Sequence, residues 1–154
     1  MNSSKVITYT RLLFRIVLAA LLIVAGYLKI QDNSALFETV AYLPWVPLWI
    51  KSIVIDLLPY VEIIVGGLLL TTKVDKLAIP ATTLIYLSFF IFAIYGFSTG
   101  IEGDCGCFGD LEDGSLLNAV LGSTFGWQMV IRNGIFVVMA GVLFLQFGKR
   151  SYEK

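Results

Sequence analysis

The chain has 154 residues, of which 58% are hydrophobic and only 14% charged, and its formal net charge is zero. A soluble domain carries about 25% charged residues, so this composition excludes an ordinary water-soluble protein. The absence of histidine excludes Ser-His-Asp and Cys-His catalysis. With a mean hydropathy of +0.86, and apolar residues in runs instead of the alternation of a membrane barrel, the sequence predicts an all-α membrane protein.

Four apolar runs are long enough to cross a bilayer, which takes roughly 20 residues per helix. They extend over about residues 9–30, 52–71, 77–97 and 125–147. We therefore predict a four-helix transmembrane bundle that forms a single domain over residues 5–150. Arg15 and Lys29 lie near the two ends of the first run, where their long side chains are expected to snorkel to the headgroups. Between the first two runs, paired prolines and tryptophans favour an interfacial loop or a short surface helix.

The distribution of charge predicts the orientation of the bundle. Five acidic residues and no basic residue occur in the third loop, residues 98–124. Basic residues instead mark the N-terminal end, the second loop and the C-terminal tail: Lys5, Arg11, Arg15, Lys73, Lys76, Lys149, Arg150 and Lys154. Positively charged loops stay in the cytoplasm. Both termini are therefore expected on the cytoplasmic side and the third loop on the outer side.

The third loop contains the only two cysteines, Cys105 and Cys107, separated by Gly106. Outside the cytoplasm such thiols can be oxidised. A disulfide across one residue closes a very small loop and removes little chain entropy, so an exchanging redox pair is favoured over a structural staple. A metal site is the remaining alternative, either for Cu(I) held by two thiolates or for zinc with carboxylates from Asp104 or Asp110.

Three ionisable residues fall inside the predicted spans: Asp56 and Glu62 in the second, and Arg132 in the fourth. Such residues usually face the bundle interior, pair with one another or line a pathway. Arg132 is predicted to lie at a depth compatible with either acid. The pattern leaves two interpretations open, an ion pair that fixes the helices and a functional site that holds a quinone or relays a proton.

Small residues on three of the spans predict close helix contacts. They are Ala19, Ala20, Ala25 and Gly26 on the first, Gly66 and Gly67 on the second, and Gly134 and Gly141 on the fourth.

These motifs together resemble a known membrane family. Residues 11–15 and 25–29 are similar to the first span of DoxX-like proteins. Pro59 with Glu62, the sequence Cys-Gly-Cys-Phe-Gly at 105–109, and Arg132-Asn133 resemble the MauE branch, a group of methylamine-utilisation accessory proteins. The resemblance covers about residues 9–147. It implies a four-helix protein of the bacterial inner membrane, distantly like the vitamin K epoxide reductase bundle, that helps to form periplasmic disulfides with a thioredoxin-like partner.

The leading hypothesis is therefore a thiol–disulfide redox accessory protein that exchanges disulfides through Cys105 and Cys107 with a thioredoxin-like or maturing periplasmic protein. Oxidoreductase activity is possible, and Glu62 and Arg132 are the candidate residues for a quinone or an ion pair. The alternatives are a non-enzymatic anchor or assembly subunit of a membrane complex and a cysteine-based metal-delivery protein. The bilayer is an expected partner, and nucleic acid is not.

Overall fold

The computed structural model of the protein describes residues 3–100 and 126–152. In this part of the chain, four helices are long and apolar enough to cross a membrane, which confirms the predicted all-α fold class. A shorter helix lies between the first two, and a 3-10 turn spans Thr72–Val74. The helices are α1 (Ser3–Gln31), α2 (Ser34–Ala41), α3 (Leu48–Leu70), α4 (Asp75–Thr99) and α5 (Trp127–Tyr152).

The long helices alternate in direction. α1 packs most extensively on α3, and α4 on α5, while α3–α4 and α1–α5 contacts join the two pairs. Lys29 near the end of α1 meets Glu62 in α3, whereas Arg15 near the start of α1 meets Asp75 at the start of α4. The bundle therefore has a Lys29 end, where α1 and α4 finish and α3 and α5 begin. At the opposite Asp75 end, α3 finishes and α4 begins.

A single buried stripe on α1 explains how this helix enters the core. Arg15, Leu18, Leu22, Ala25 and Lys29 follow one another at intervals of three or four residues, and all five are buried. This spacing places side chains on one side of a helix. The stripe begins and ends with a basic residue, so the α1 surface that faces the bundle carries a positive charge at each end.

Two glycines allow α1 and α3 to approach each other closely. A Cβ atom on Gly26 would lie 2.6 Å from the carbonyl oxygen of Pro59, and one on Gly66 would lie 3.0 Å from the carbonyl oxygen of Ala19. The predicted close contacts are therefore found at these two positions. The same expectation was wrong for Gly67 and Gly141, where nothing lies within 4 Å of the added atom.

The region between α1 and α3 contains the short helix that the sequence allowed. Asp32 accepts a hydrogen bond from the Ser34 backbone N–H at 2.8 Å, at the start of α2. Hydrogen bonds from the Ser34 side chain and backbone hold the pKa of Asp32 below its usual value. α3 begins at Leu48, earlier than the predicted residue 52, because the chain becomes helical directly after Pro47, whose carbonyl accepts from the Lys51 N–H at 3.1 Å.

Asp75 joins α1 to α4 at the opposite end of the bundle. Its carboxylate is 2.6 Å from Arg15 Nη2 and 3.1 Å from Arg11 Nη2. Arg15 also donates to the carbonyls of Leu69 and Thr71 at the end of α3. The expectation that Arg15 snorkels to the headgroups was wrong, since Arg15 is only 5% exposed. Its guanidinium has enough donors to hold three helices at once.

Candidate functional site

The candidate site centres on an ion pair buried between α1 and α3. The Lys29 ammonium lies 2.7 Å from Glu62 Oε1 and 2.9 Å from Oε2. Both side chains have no solvent exposure. An ion pair in such surroundings gains strong attraction but has lost the solvation of both charges. Each residue is therefore tolerated in the core because the other is present.

The position of Lys29 corrects the sequence prediction, which placed its ammonium at the headgroups. Lys29 belongs to the buried stripe of α1 and is 1% exposed. The close approach at Gly26, less than one helical turn earlier, brings α3 alongside this part of α1. The spacing from Leu18 through Leu22 and Ala25 to Lys29 was present in the sequence and would have placed the lysine on the buried side.

A series of aromatic side chains in contact with one another leads from the ion pair into α4 and α5. The Lys29 ammonium lies 5.1 Å from the centroid of the Phe89 ring, within the range of a cation–π contact. Tyr86 packs edge-on against Phe89 and lies against Phe136 of α5. Its hydroxyl donates to the Leu18 carbonyl at 2.8 Å. The charged pair is thus linked by direct contacts to the interface between α4 and α5.

The predicted site residues Glu62 and Arg132 are on different helices, α3 and α5. The two carboxylate oxygens of Glu62 both accept from Lys29, and Arg132 is half-buried. The neighbouring Asn133 is 1% exposed. Neither amide atom of Asn133 has a hydrogen-bond partner in the described part of the chain. Asn133 is one residue from Gly134, which lies against Phe90, so it is at about the depth of Phe89 and the Lys29 ammonium.

Asp56, the third intramembrane candidate, is placed differently from expectation. Its side chain is exposed on α3 and does not face the interior of the bundle. It lines a cavity between α2 and α3 together with Lys51. Asp56 therefore differs from Glu62, which lies on the same helix but is completely buried.

The two predicted redox residues, Cys105 and Cys107, lie outside the described residues. The segment that contains them follows Gly100, whose φ of +66° ends α4 in the left-handed conformation that glycine adopts readily. The described chain resumes at Gly126, before α5. Both flanking glycines belong to the Lys29 end of the bundle. Within residues 3–100 and 126–152, no group of three or more metal-binding side chains occurs.

The fold and the buried charges define a class: a multi-pass membrane protein whose helices enclose an ion pair between the end of α1 and the middle of α3. The chain belongs to the MauE family, described as methylamine utilisation protein MauE, whose model matches residues 7–146. It is accordingly a membrane accessory protein of methylamine-utilisation type. No curated protein and no solved structure matches the chain. The similarity to DoxX-like proteins remains a prediction.

Proposed function

We propose that the protein is a thiol–disulfide redox accessory protein of the bacterial inner membrane, acting through Cys105 and Cys107. The observation that carries this proposal is the pair of cysteines around Gly106 in a chain that belongs to the MauE family. The acidic composition of residues 98–124 supports an outer location for the pair under the positive-inside rule, with both termini in the cytoplasm. Thiols there can be oxidised.

The proposed chemistry is exchange through a mixed disulfide with a thioredoxin-like or maturing protein. The thiolate of one cysteine attacks a disulfide of the partner, so that an S–S bond forms between the two proteins and one partner sulfur leaves as a thiolate. The second cysteine then attacks the mixed disulfide. The partner departs as a dithiol, and Cys105 and Cys107 become joined. In this direction two electrons and two protons pass from Cys105 and Cys107 to the partner. In the reverse direction the same steps oxidise a dithiol of the partner and reduce the Cys105–Cys107 disulfide.

A quinone is the proposed cofactor, and it would lie near Glu62 and Arg132. The residues present fit a quinone carbonyl in one respect, since the Asn133 amide nitrogen is a buried donor with no partner among the described residues. When bound, a quinone accepts two electrons and two protons. Glu62 and Lys29, at about the same depth, would place a fixed pair of charges beside this position.

Trapping experiments in intact cells test the exchange. In Cys107→Ser, Cys105 can form a mixed disulfide, but the second thiol that would resolve it is missing. A covalent complex with a periplasmic protein is therefore expected on non-reducing gels. Maleimide labelling should show that the native pair alternates between dithiol and disulfide when reductant is added and removed. The Cys105→Ser, Cys107→Ser double variant is the matched control. Permanently oxidised cysteines with no covalent partner would contradict the proposal.

Quinone extraction from the purified protein tests the cofactor. The Asn133→Leu variant is expected to lose most of the co-purified quinone. Gln128→Leu is the matched control, because Gln128 is an exposed amide on the same helix. Equal quinone content in the wild type and both variants, or none in any of them, would rule out a quinone at this position.

A further inference from the structure

Asp56 is an exposed acid inside a membrane-spanning helix. It lies eight residues after Leu48, the first residue of α3, which is about 12 Å along the helix axis. No ion pair in the described part of the chain includes it. A charged side chain at such a depth normally pairs or lines a polar cavity. An exposed carboxylate without a cation therefore indicates a partner that supplies one.

The surface around Asp56 is a cavity of about 380 Å³ between α2 and α3. Apolar side chains form much of its wall, including Phe37, Val40 and Ile55. Phe37 is 62% exposed, so the cavity has an apolar edge. Lys51 also lines the cavity, but its ammonium donates to the Ala41 carbonyl at 3.3 Å. Lys51 is also five residues nearer than Asp56 to the start of α3. The one acid of the lining is thus set deeper than the one base.

We infer that Asp56 receives a lysine or arginine side chain from a transmembrane helix of a partner protein. The charge of Asp56 requires a cation, and the apolar wall suits the aliphatic part of such a side chain. A lipid headgroup fits less well because its ammonium stays near the membrane surface, at the level of Lys51. A second copy of this chain also fits poorly, since Arg11, Arg15 and Lys29 are engaged in ion pairs of their own and Arg132 also interacts within the chain.

Synthetic transmembrane peptides test this inference with the full-length protein in phosphatidylcholine vesicles. One Leu/Ala peptide of 24 residues carries a single lysine about 12 Å from one end; a second carries leucine there; a third carries the lysine at its terminus. Energy transfer from labelled protein to labelled peptide reports association. The first peptide is expected to bind about tenfold more tightly than the other two, the usual scale of a polar contact between membrane helices.

Protein variants identify the acid. Asp56→Asn is expected to abolish the preference for the first peptide, and Asp56→Glu to retain most of it. Glu38→Gln is the matched control, because Glu38 is an exposed acid of α2 outside the spans. The inference is overturned if the three peptides bind equally or if Asp56→Asn keeps the preference. It is also overturned if phosphatidylethanolamine in the vesicles removes the preference, since a headgroup would then be the occupant. The peptide comparison stands even if a variant does not fold.

The inference is independent of the proposed exchange chemistry. Peptide association can be measured in the Cys105→Ser, Cys107→Ser double variant, which has no thiol. Binding that persists there would leave the contact intact even if the redox proposal failed.

Discussion

Two sets of ion pairs hold the helices of the bundle, one where the end of α1 meets the middle of α3 and one at the Asp75 end, and their surroundings differ. At the Lys29 end, Lys29 and Glu62 have no exposed side-chain surface. At the Asp75 end, the Arg11 and Asp75 side chains keep 17% and 16% of theirs. Arg15 there also has carbonyl oxygens as acceptors. The comparison separates a fully buried pair, in which both Glu62 oxygens accept from Lys29, from a partly exposed network in which Arg15 binds backbone carbonyls as well as Asp75.

Breaking the buried pair is expected to have the largest effect. Glu62→Leu leaves the Lys29 ammonium in the core without its carboxylate, which should lower the free energy of unfolding by about 3–5 kcal/mol. The double variant Lys29→Met, Glu62→Leu removes both charges and should recover most of that loss. Unfolding of the purified proteins in mixed detergent micelles, followed by helical circular dichroism, measures both.

Glu38 is an exposed acid in α2, so Glu38→Gln serves as the control for the loss of a negative charge. Its free energy of unfolding should remain within about 0.5 kcal/mol of the wild-type value. A double variant as unstable as Glu62→Leu alone would show that the packing of these side chains matters more than their charges.

The close approach that buries the Lys29 end can be tested at Gly26. In Gly26→Ala, the new Cβ atom meets the Pro59 carbonyl and Ile63 at 2.6 and 2.8 Å. Because the carbonyl belongs to the backbone, α1 and α3 must separate, and a loss of about 1–3 kcal/mol is expected. Gly67→Ala is the matched control, since the added atom meets nothing within 4 Å. It should be neutral or slightly stabilising. Equal effects of the two changes in the same unfolding assay would disprove the steric explanation.

Asp75→Asn should lower the free energy of unfolding by about 1–2 kcal/mol, which is less than the loss expected for Glu62→Leu. Arg15 keeps the carbonyls of Leu69 and Thr71, and Arg11 can be solvated. Salt sharpens the comparison because partly exposed charges are screened more than fully buried ones. Raising the salt concentration from about 0.01 to 0.5 M should reduce the cost of Asp75→Asn but leave that of Glu62→Leu unchanged. The same salt dependence for both variants would contradict the contrast between the ends.

The four spans were predictable because long apolar runs have few other structures open to them. Lengths of apolar sequence do not, however, say which residue of one helix meets which residue of another. Glu62 was correctly picked out as an intramembrane charge, but its partner is Lys29. Proximity to the end of a predicted span suggested snorkelling for this lysine, whereas its spacing from Leu18, Leu22 and Ala25 placed it on the buried side of α1.

The charge of the two acids in α3 could not by itself predict which of them is buried. Asp56 and Glu62 are six residues apart, which in a helix of 3.6 residues per turn puts them roughly 120° apart around the helix axis and so on different faces. Glu62 faces α1, while Asp56 faces outward and lines the cavity beside α2. Which side meets the neighbouring helix depends on where α1 packs, and the glycines that determine this contact also resemble Gly67 and Gly141, which make none.

Tyr86 joins α4 to α1 between the two ends, and the loss of its hydroxyl group is expected to have the smallest effect on the free energy of unfolding. Tyr86→Phe removes the 2.8 Å hydrogen bond to the Leu18 carbonyl but keeps the ring contacts, so about 1 kcal/mol should be lost. Tyr60→Phe is the control, since Tyr60 is 54% exposed to the surroundings of the bundle; this change should be close to neutral.

Double-variant cycles with Tyr86→Leu, which removes the ring as well as the hydroxyl, then show to which end of the bundle this residue is coupled. The Tyr86 ring contacts Phe89, and the Lys29 ammonium lies over Phe89. Combined with the Lys29→Met, Glu62→Leu pair, Tyr86→Leu should therefore deviate from additivity by at least about 0.5 kcal/mol, as contacting residues do. Combined with Asp75→Asn, it should be additive within about 0.5 kcal/mol, because the two sites share no partner. The reverse result would mean that the middle of the bundle is coupled to the Arg15–Asp75 network, and that the buried pair is energetically isolated despite its aromatic contact.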